Sequence, residues 1–457
     1  MTALVNTVII GAGQAGLALS YHLTRQGRGH AVLEQAAASG EAWRNHRWDS
    51  FVLNTPNWQS GLPGMPLRAD DPDGFTSRDD YVRYLEDYAR RFHLPVRHSQ
   101  RVISVAPGAR SGDSLLITAR GETIGARNVV IATGRYQKPK IPAFSAEFPA
   151  RIHQLHSDAY SNPRDLPAGA VLVVGSGQSG AQIAEELYEA GRKVYLCVSR
   201  AGRALRRYRG KDGNWWADRL GRYDRTVEGL ASPKEKFASK PHVSGTRGGR
   251  TLNLHQFARD GVVLLGRLQA VRDGVLVLAA DLHQNLAATD RFAAEFAQAV
   301  DAYVEQTEMT APEEILPALR DGFRQPEIPA LELGAAGITS VIWATGYEFD
   351  FSLVKLPIFD ADGWPIQRRG VTGHHGLYFL GLPWLHNAKS GLIHGVGEDA
   401  AYIADQIAAA ERTRASALEA RLSRPVCAES LKGMLDRRIA DQGKFGANKK
   451  SDGSADL

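Results

Sequence analysis

Two stretches of the chain share one pattern of apolar and polar positions. A short apolar run meets a glycine triplet, then come a helical-period run, a closing glycine and a second apolar run. In the first, Val8, Ile9 and Ile10 lead into Gly11-Ala-Gly13-Gln14-Ala15-Gly16. The pattern predicts a buried strand, a tight turn, a helix from Gln14 to about Gln26 stopped by Gly27, and a strand over 31–33 ending at Glu34. In the second, the apolar run 171–174 feeds Gly175-Ser-Gly177-Gln178-Ser179-Gly180, a helix to about Ala190, the stop Gly191 and a strand over 193–198. No other repeat is visible.

The intervening sequence gives weaker signals. Ser77-Arg-Asp-Asp80 reads as a capping box opening a helix whose Tyr81, Leu85, Tyr88 and Phe92 fall on one face. Residues 115–119 and 122–126 flank Arg120-Gly121 as a hairpin. Residues 129–132 and 341–344 are apolar runs that each end in Ala-Thr-Gly, at Ala132-Thr133-Gly134 and Ala344-Thr345-Gly346. Trp215-Trp216 and residues 232–250 read as loops, and 262–265, 275–278 and 377–381 as strands. A helix is expected over 283–308, with Phe292, Phe296, Val300 and Tyr303 as a packing face, a lid or a dimer contact. Another helix is expected from His394 to about Arg412, and disorder past 445.

The glycine spacing carries chemistry. In a dinucleotide-binding turn the first glycine allows the bend, the second lets a pyrophosphate approach the backbone, and the third lets helix and strand pack closely. The helix N-terminus then offers unpaired N–H groups and a positive dipole to the phosphates. Glu34 stands where an acid accepts hydrogen bonds from a ribose diol. At the matching position the second unit has Val198, followed by Ser199-Arg200: no carboxylate to repel a 2′-phosphate, and an arginine to receive one. The first site is therefore expected to select FAD and the second NADPH. Arg206 is a further phosphate candidate in the basic run that follows. The loop around Trp43-Arg44 and Arg47-Trp48 could cover a flat heterocycle, hold phosphates, or only pack onto the core.

Composition narrows the field. With 457 residues the chain should form two or three domains, and 43% apolar with 23% charged residues is the balance of a globular protein. No apolar run approaches the ~20 residues of a membrane span. The first strand begins too early for a signal peptide, so a cytoplasmic protein is expected. Cys197 and Cys427 are isolated, which removes dithiol chemistry and a disulfide reductase. A net charge of +5 does not call for nucleic acid. No metal-spaced Cys/His set or Ser-His-Asp grouping is present, so no metal is expected. The fold expected is α/β with two Rossmann-like dinucleotide-binding domains. FAD is assigned to 1–165 and 331–412, NADPH to 166–330 with an inserted segment over 212–310, and 413–457 is a C-terminal extension.

The two glycine motifs, the two Ala-Thr-Gly turns and Trp343-Ala-Thr-Gly-Tyr347 resemble the class B flavoprotein monooxygenases over roughly residues 5–410. This superfamily includes flavin-containing monooxygenases, indole-pyruvate monooxygenases, N-hydroxylases and Baeyer–Villiger enzymes. Trp48-Asp-Ser-Phe, Thr55-Pro-Asn-Trp58 and Gln154-Leu-His-Ser-Asp-Ala-Tyr160 are most similar to bacterial FAD-dependent oxidoreductases encoded near nitrilase-type genes. Asn54 and Pro56 match an N-x-P-K segment whose asparagine lies beside the flavin, with Asn57 in place of the lysine. His156 and Tyr160 match an F-x-G-x-x-x-H-x-x-x-Y motif, but Phe148 lies too early and Ala150 replaces the glycine, against a typical Baeyer–Villiger enzyme. Thr339 stands where an aspartate usually precedes the Ala-Thr-Gly-Tyr strand.

The resemblance implies that NADPH reduces FAD and that O2 then forms a C4a-(hydro)peroxyflavin. This would oxygenate a small-molecule nitrogen, sulfur or carbonyl substrate, with Asn54 as the catalytic side chain. The residues placed at the cofactors are Gly11, Gly13, Gln14, Ala15, Gly16, Glu34, Gln35, Trp43, Arg44, Thr133, Gly134, Lys389 and Gly391 with Gly175, Gly177, Gln178, Ser179, Gly180, Ser199, Arg200, Arg206, Ala344, Thr345 and Gly346. An NADPH oxidase or flavin-dependent dehydrogenase without oxygen transfer, and a non-catalytic redox sensor, stay open as alternatives.

Overall fold

A computed structural model describes residues 4–68, 70–108, 114–118, 120–239 and 241–422. The first apolar run forms the strand Leu4–Ile10, followed by the helix Gln14–Arg25 and the strand His30–Leu33. Leu4–Ile10 pairs in parallel with His30–Leu33 on one side and with Thr123–Ile131 on the other, so Val8 faces Ala31 and Val129. Val96–Arg97 and Leu377–Phe379 extend the sheet in parallel. The hairpin Val102–Pro107 with Ser114–Thr118 joins Thr123–Ile131 in antiparallel fashion. The outcome is a nine-stranded sheet, its centre parallel and almost wholly apolar, as a sheet covered on both faces requires.

The second apolar run builds a five-stranded sheet, parallel throughout, in the order Val263–Leu265, Val194–Cys197, Ala170–Val174, Ile338–Trp343, His153–His156. Two of these strands come from segments that the sequence reading gave to the FAD domain. His153–His156 falls within 1–165 and Ile338–Trp343 within 331–412, yet both hydrogen-bond only into the second sheet. Parallel neighbours are joined through long crossovers, so strand membership is not written locally.

The stretch around Trp215-Trp216, expected as a loop, is the helix Gly213–Arg219. Asp212 caps it by accepting from the Asn214 N–H at 2.7 Å, and buried Trp216 donates its indole N–H to the Tyr208 carbonyl. The helix Leu282–Gln306 matches expectation and buries Ala293, Phe296, Ala297 and Val300 against Leu205, Tyr208 and Trp216. The chain divides into two units, Met1–Ala404 and Asp405–Leu457. The helix Ile393–Leu422 opens in the first and supplies all that is described of the second, ending later than expected. The disorder expected past 445 lies outside the described residues. No described helix is long and apolar enough to cross a membrane.

Candidate active site

The two glycine turns have the same geometry. Gly11 adopts φ +110° and Gly175 φ +104°, a region that L side chains rarely enter. A Cβ on Gly11 would lie 2.6 Å from the Ala132 carbonyl oxygen, and one on Gly175 2.7 Å from that of Ala344. The repeated Ala-Thr-Gly sequences thus have a shared job: each backs one glycine turn, 132–134 in the first sheet and 344–346 in the second. The third glycines are just as constrained, since a Cβ on Gly16 would stand 1.9 Å from Gly11 O and one on Gly180 1.8 Å from Gly175 O. The middle glycines differ. No atom lies within 4 Å of a Cβ built on Gly13 or Gly177. Each of these glycines also caps its helix without any side-chain cap, leaving the first N–H groups facing that space.

Both spaces open into one cavity of about 1860 Å³. From the first sheet it is lined by Gly11, Gly13, Gln14, Ala15, Glu34, Gln35, Trp43, Asn54, Thr133, Gly134 and Gly391, and from the second by Gly175, Gly177, Gln178, Ser179, Ser199, Arg206, Ala344, Thr345 and Gly346. Glu34 is 6% exposed, and its carboxylate accepts the Ala12 N–H at 2.7 Å and the Ala36 N–H at 2.9 Å. It therefore knits the glycine turn to the strand end, while each oxygen keeps a second lone pair for a diol. Gln14 donates to the Gly391 carbonyl at 3.1 Å, joining the first glycine turn to the segment before Ile393–Leu422.

Five expected residues are not brought to the cavity wall. Gly16 and Gly180 sit behind it as packing positions. Arg44 turns to Glu86, 2.6 Å away. Arg200 is exposed, one residue beyond Ser199. Lys389 lies between Glu398 at 2.8 Å and Asp224 at 3.1 Å; burial works against its charge, but the two carboxylates outweigh it and raise its proton affinity. Arg206 does reach the cavity, but not as a free cation. It is 2% exposed, donates to Asp212 at 2.6 Å and to the Asn54 carbonyl at 2.8 Å, and lies 4.8 Å from the Phe75 ring centre. Its charge is already matched.

Asn54 itself is gripped from the second sheet's side, its Oδ1 accepting from Gln182 Nε2 at 3.1 Å. Other side chains stand beside those expected at the cofactors. Arg47, not Arg44, points inward, 5.4 Å from the Trp43 ring and 4.3 Å from that of Tyr136. Burial would raise the Tyr136 phenol, but the positive charges of Arg135 and Arg47 outweigh it and lower it. Tyr223 and Trp384 add aromatic wall, and burial pushes the Tyr223 phenol up to about 12. His156 hydrogen-bonds Asp158 at 2.8 Å and the Gly346 carbonyl at 2.9 Å, with His46 on the other Asp158 oxygen at 3.4 Å. Burial alone would raise the Asp158 carboxyl, and the two imidazoles overcome it to hold it well below the usual carboxylate range. Cys197 is buried, and burial pushes its thiol up to about 12, where it is inert as a nucleophile.

A family model described as pyridine nucleotide-disulphide oxidoreductase matches residues 8–212. A relative in Geobacillus kaustophilus, named uncharacterized oxidoreductase CzcO-like, is 34% identical over 412 residues, covering 89% of this chain and 99% of the relative. Rice indole-3-pyruvate monooxygenase YUCCA1 is 31% identical over 191 residues, 42% of this chain and 47% of that protein. Among solved structures, the flavin-containing monooxygenase of Stenotrophomonas maltophilia shares the fold at a TM-score of 0.60 and 22% identity, over 90% of this chain and 99% of that one. The family match covers the nucleotide fold and not the dithiol in its description, since buried Cys197 has no cysteine partner among the described residues. The chain belongs to the CzcO-like oxidoreductases and shares its fold with a flavin-containing monooxygenase.

Proposed function

We propose that the chain binds FAD at the first glycine turn and NADPH at the second, and uses O2 to oxygenate a small-molecule nitrogen, sulfur or carbonyl substrate. One observation carries this: two open glycine cradles, on different sheets, face a single cavity of about 1860 Å³ that Asn54 also lines. Small-molecule pockets usually extend to about 1,000 Å³, so this one has room for two ligands in contact. In this reading the nine-stranded sheet is the FAD domain and the five-stranded sheet the NADPH domain. When bound, the two cofactors supply the redox chemistry, hydride transfer from nicotinamide to flavin and activation of O2. The chain's own residues do the rest. The helix N-termini after Gly13 and Gly177 hold phosphates, Glu34 takes the ribose diol, and Trp43 and Trp384 keep water from the reacting edge. The name of the rice relative, an indole-3-pyruvate monooxygenase, supports oxygen transfer.

The deciding experiment mixes NADPH-reduced protein with O2 in a stopped-flow spectrometer. An absorbing species that outlasts oxygen consumption by seconds supports the monooxygenase. Direct return to the oxidised spectrum with stoichiometric peroxide means an NADPH oxidase, and no reduction by NADPH leaves a redox sensor.

Arg200 gives a second check. Arg200 follows cavity-lining Ser199 and is exposed, and in this reading its side chain swings onto a 2′-phosphate. Arg200→Ala should raise the KM for NADPH by roughly 10-fold or more, the value of one charge-assisted bond, and leave that for NADH unchanged. An unchanged NADPH/NADH ratio would remove Arg200 from the site.

A further inference from the structure

The two ends of an asparagine amide have nearly the same shape, so what Asn54 can do depends on which end faces the cavity. The backbone settles this. The N–H of Val243 can only donate, and it meets Gln178 Oε1 at 3.2 Å. The other end of Gln178 is then Nε2, which donates to the Val243 carbonyl and to Gln182 Oε1, the latter at 2.7 Å. With its oxygen so engaged, Gln182 turns Nε2 to Asn54 and donates to Oδ1 at 3.1 Å. Three amides in series begin at a group that cannot be reversed, so each is oriented in turn. Gln182 is 4% exposed, leaving little access for water to substitute in the series.

We propose that this Gln178–Gln182 relay fixes Asn54 as a hydrogen-bond donor, its Oδ1 consumed and its Nδ2 offered to a ligand atom that carries or gains negative charge. Gln182 is a positioning residue acting through Asn54. The inference rests on the proposed function for the identity of that ligand, the reduced flavin or the oxygen it activates, and on geometry alone for the direction of the amide. A fixed donor aimed at developing charge needs no reorganisation when the charge appears.

Gln182→Glu tests it. Once ionised, the introduced carboxylate still accepts from Gln178, but it has no N–H to give, so Asn54 must turn end for end and present Oδ1 to the cavity. In its protonated form the same carboxyl can donate from its O–H and restores the original direction. In cofactor-free protein labelled with 15N-asparagine, the Asn54 side-chain NH2 pair is assigned by its loss in Asn54→Ser. In Gln182→Glu that pair should move downfield as the pH is raised and the new carboxyl ionises, and should match the wild type once that carboxyl is protonated. In the FAD-bound protein the same variant should have a lower flavin midpoint potential and release about tenfold more peroxide per NADPH, the effect of losing one bond to a charged group. Gln182→Met, apolar and of similar length, should shift and broaden the Asn54 pair and stands in if the glutamate variant does not fold. An Asn54 pair unmoved in the folded variants overturns the relay. If the wild type takes up FAD and is reduced by NADPH while the variants change neither resonance nor potential, the relay falls and the proposed function stands. If the wild type binds no FAD, the proposed function falls, and the resonance still decides the relay.

Discussion

Gly13→Val is expected to give a folded, colourless protein. Gly13 has φ −81° and ψ −173°, extended backbone that valine adopts readily, and no protein atom lies within 4 Å of the new Cβ. The added methyl groups therefore cost the fold little. They occupy the space through which a pyrophosphate would reach the first N–H groups of Gln14–Arg25, each contact a charge-assisted bond of about 1.5–3 kcal/mol. Loss of two such contacts predicts at least about 100-fold weaker FAD binding. Gly16→Ala should do the opposite. Its methyl would stand 1.9 Å from the Gly11 carbonyl oxygen, so helix and strand must separate, and the melting temperature should drop before any question of ligand arises. Gly177→Val completes the set: a yellow, folded protein that NADPH no longer reduces. The measurements are flavin absorbance per chain, thermal unfolding and anaerobic NADPH titration. A yellow Gly13→Val protein with normal flavin content would refute the assignment of the first site, and a colourless Gly177→Val protein would exchange the two.

What was legible in the sequence follows a physical line. Gly11, Gly13 and Gly16 declare themselves because their constraints act within a few residues: a φ only glycine tolerates, an open approach, a close packing against the preceding turn. The caps at Ser77 and the helix period over 282–306 are local in the same sense. Long-range pairing was not legible. Nothing near Ile338–Trp343 says that it pairs with Ala170–Val174 and not with Leu4–Ile10, since both neighbours are apolar runs followed by glycine turns. The directions of Arg44 and Lys389 are hidden for a related reason. Where an arginine points depends on where a carboxylate waits, and Glu86 for Arg44, or Asp224 and Glu398 for Lys389, are brought close only by the fold. Asp212, two residues before Asn214, is a helix N-cap, and reading it so would have made Trp215-Trp216 helical. The Gln178-x-x-x-Gln182 spacing likewise places two amides on one helix face, a hint that gained meaning only once Asn54 was seen opposite.

Arg206→Ala is expected to cost about 3–5 kcal/mol of stability while leaving the preference between NADPH and NADH as it is, the reverse of what a phosphate ligand would do. Arg206 is 2% exposed and Asp212 only 14%, so removing the guanidinium strands a carboxylate in a place where water replaces its partner poorly. The same change frees the Asn54 carbonyl, which Arg206 holds at 2.8 Å, and leaves a void against Phe75. Asn54 should then sit less firmly, and peroxide release per NADPH should rise even where the protein is still folded. Asp212 also caps Gly213–Arg219, so the carboxylate cannot simply be deleted to relieve the strain. Asn is as good a cap as Asp, however, and carries no charge. Arg206→Met combined with Asp212→Asn should therefore recover a large part of the stability lost in Arg206→Met alone, because a neutral pair replaces a stranded ion. Recovery of stability without recovery of coupling would assign the fold to the charge pair and the placement of the Asn54 backbone to the guanidinium. Chemical denaturation of the two single variants and the double, with NADPH and NADH constants measured for each, decides between the roles. If Arg206→Ala instead melts like the wild type and loses its NADPH preference by 10-fold or more, the size of one arginine–phosphate bond, then Arg206 is a phosphate ligand and not the structural partner of Asp212.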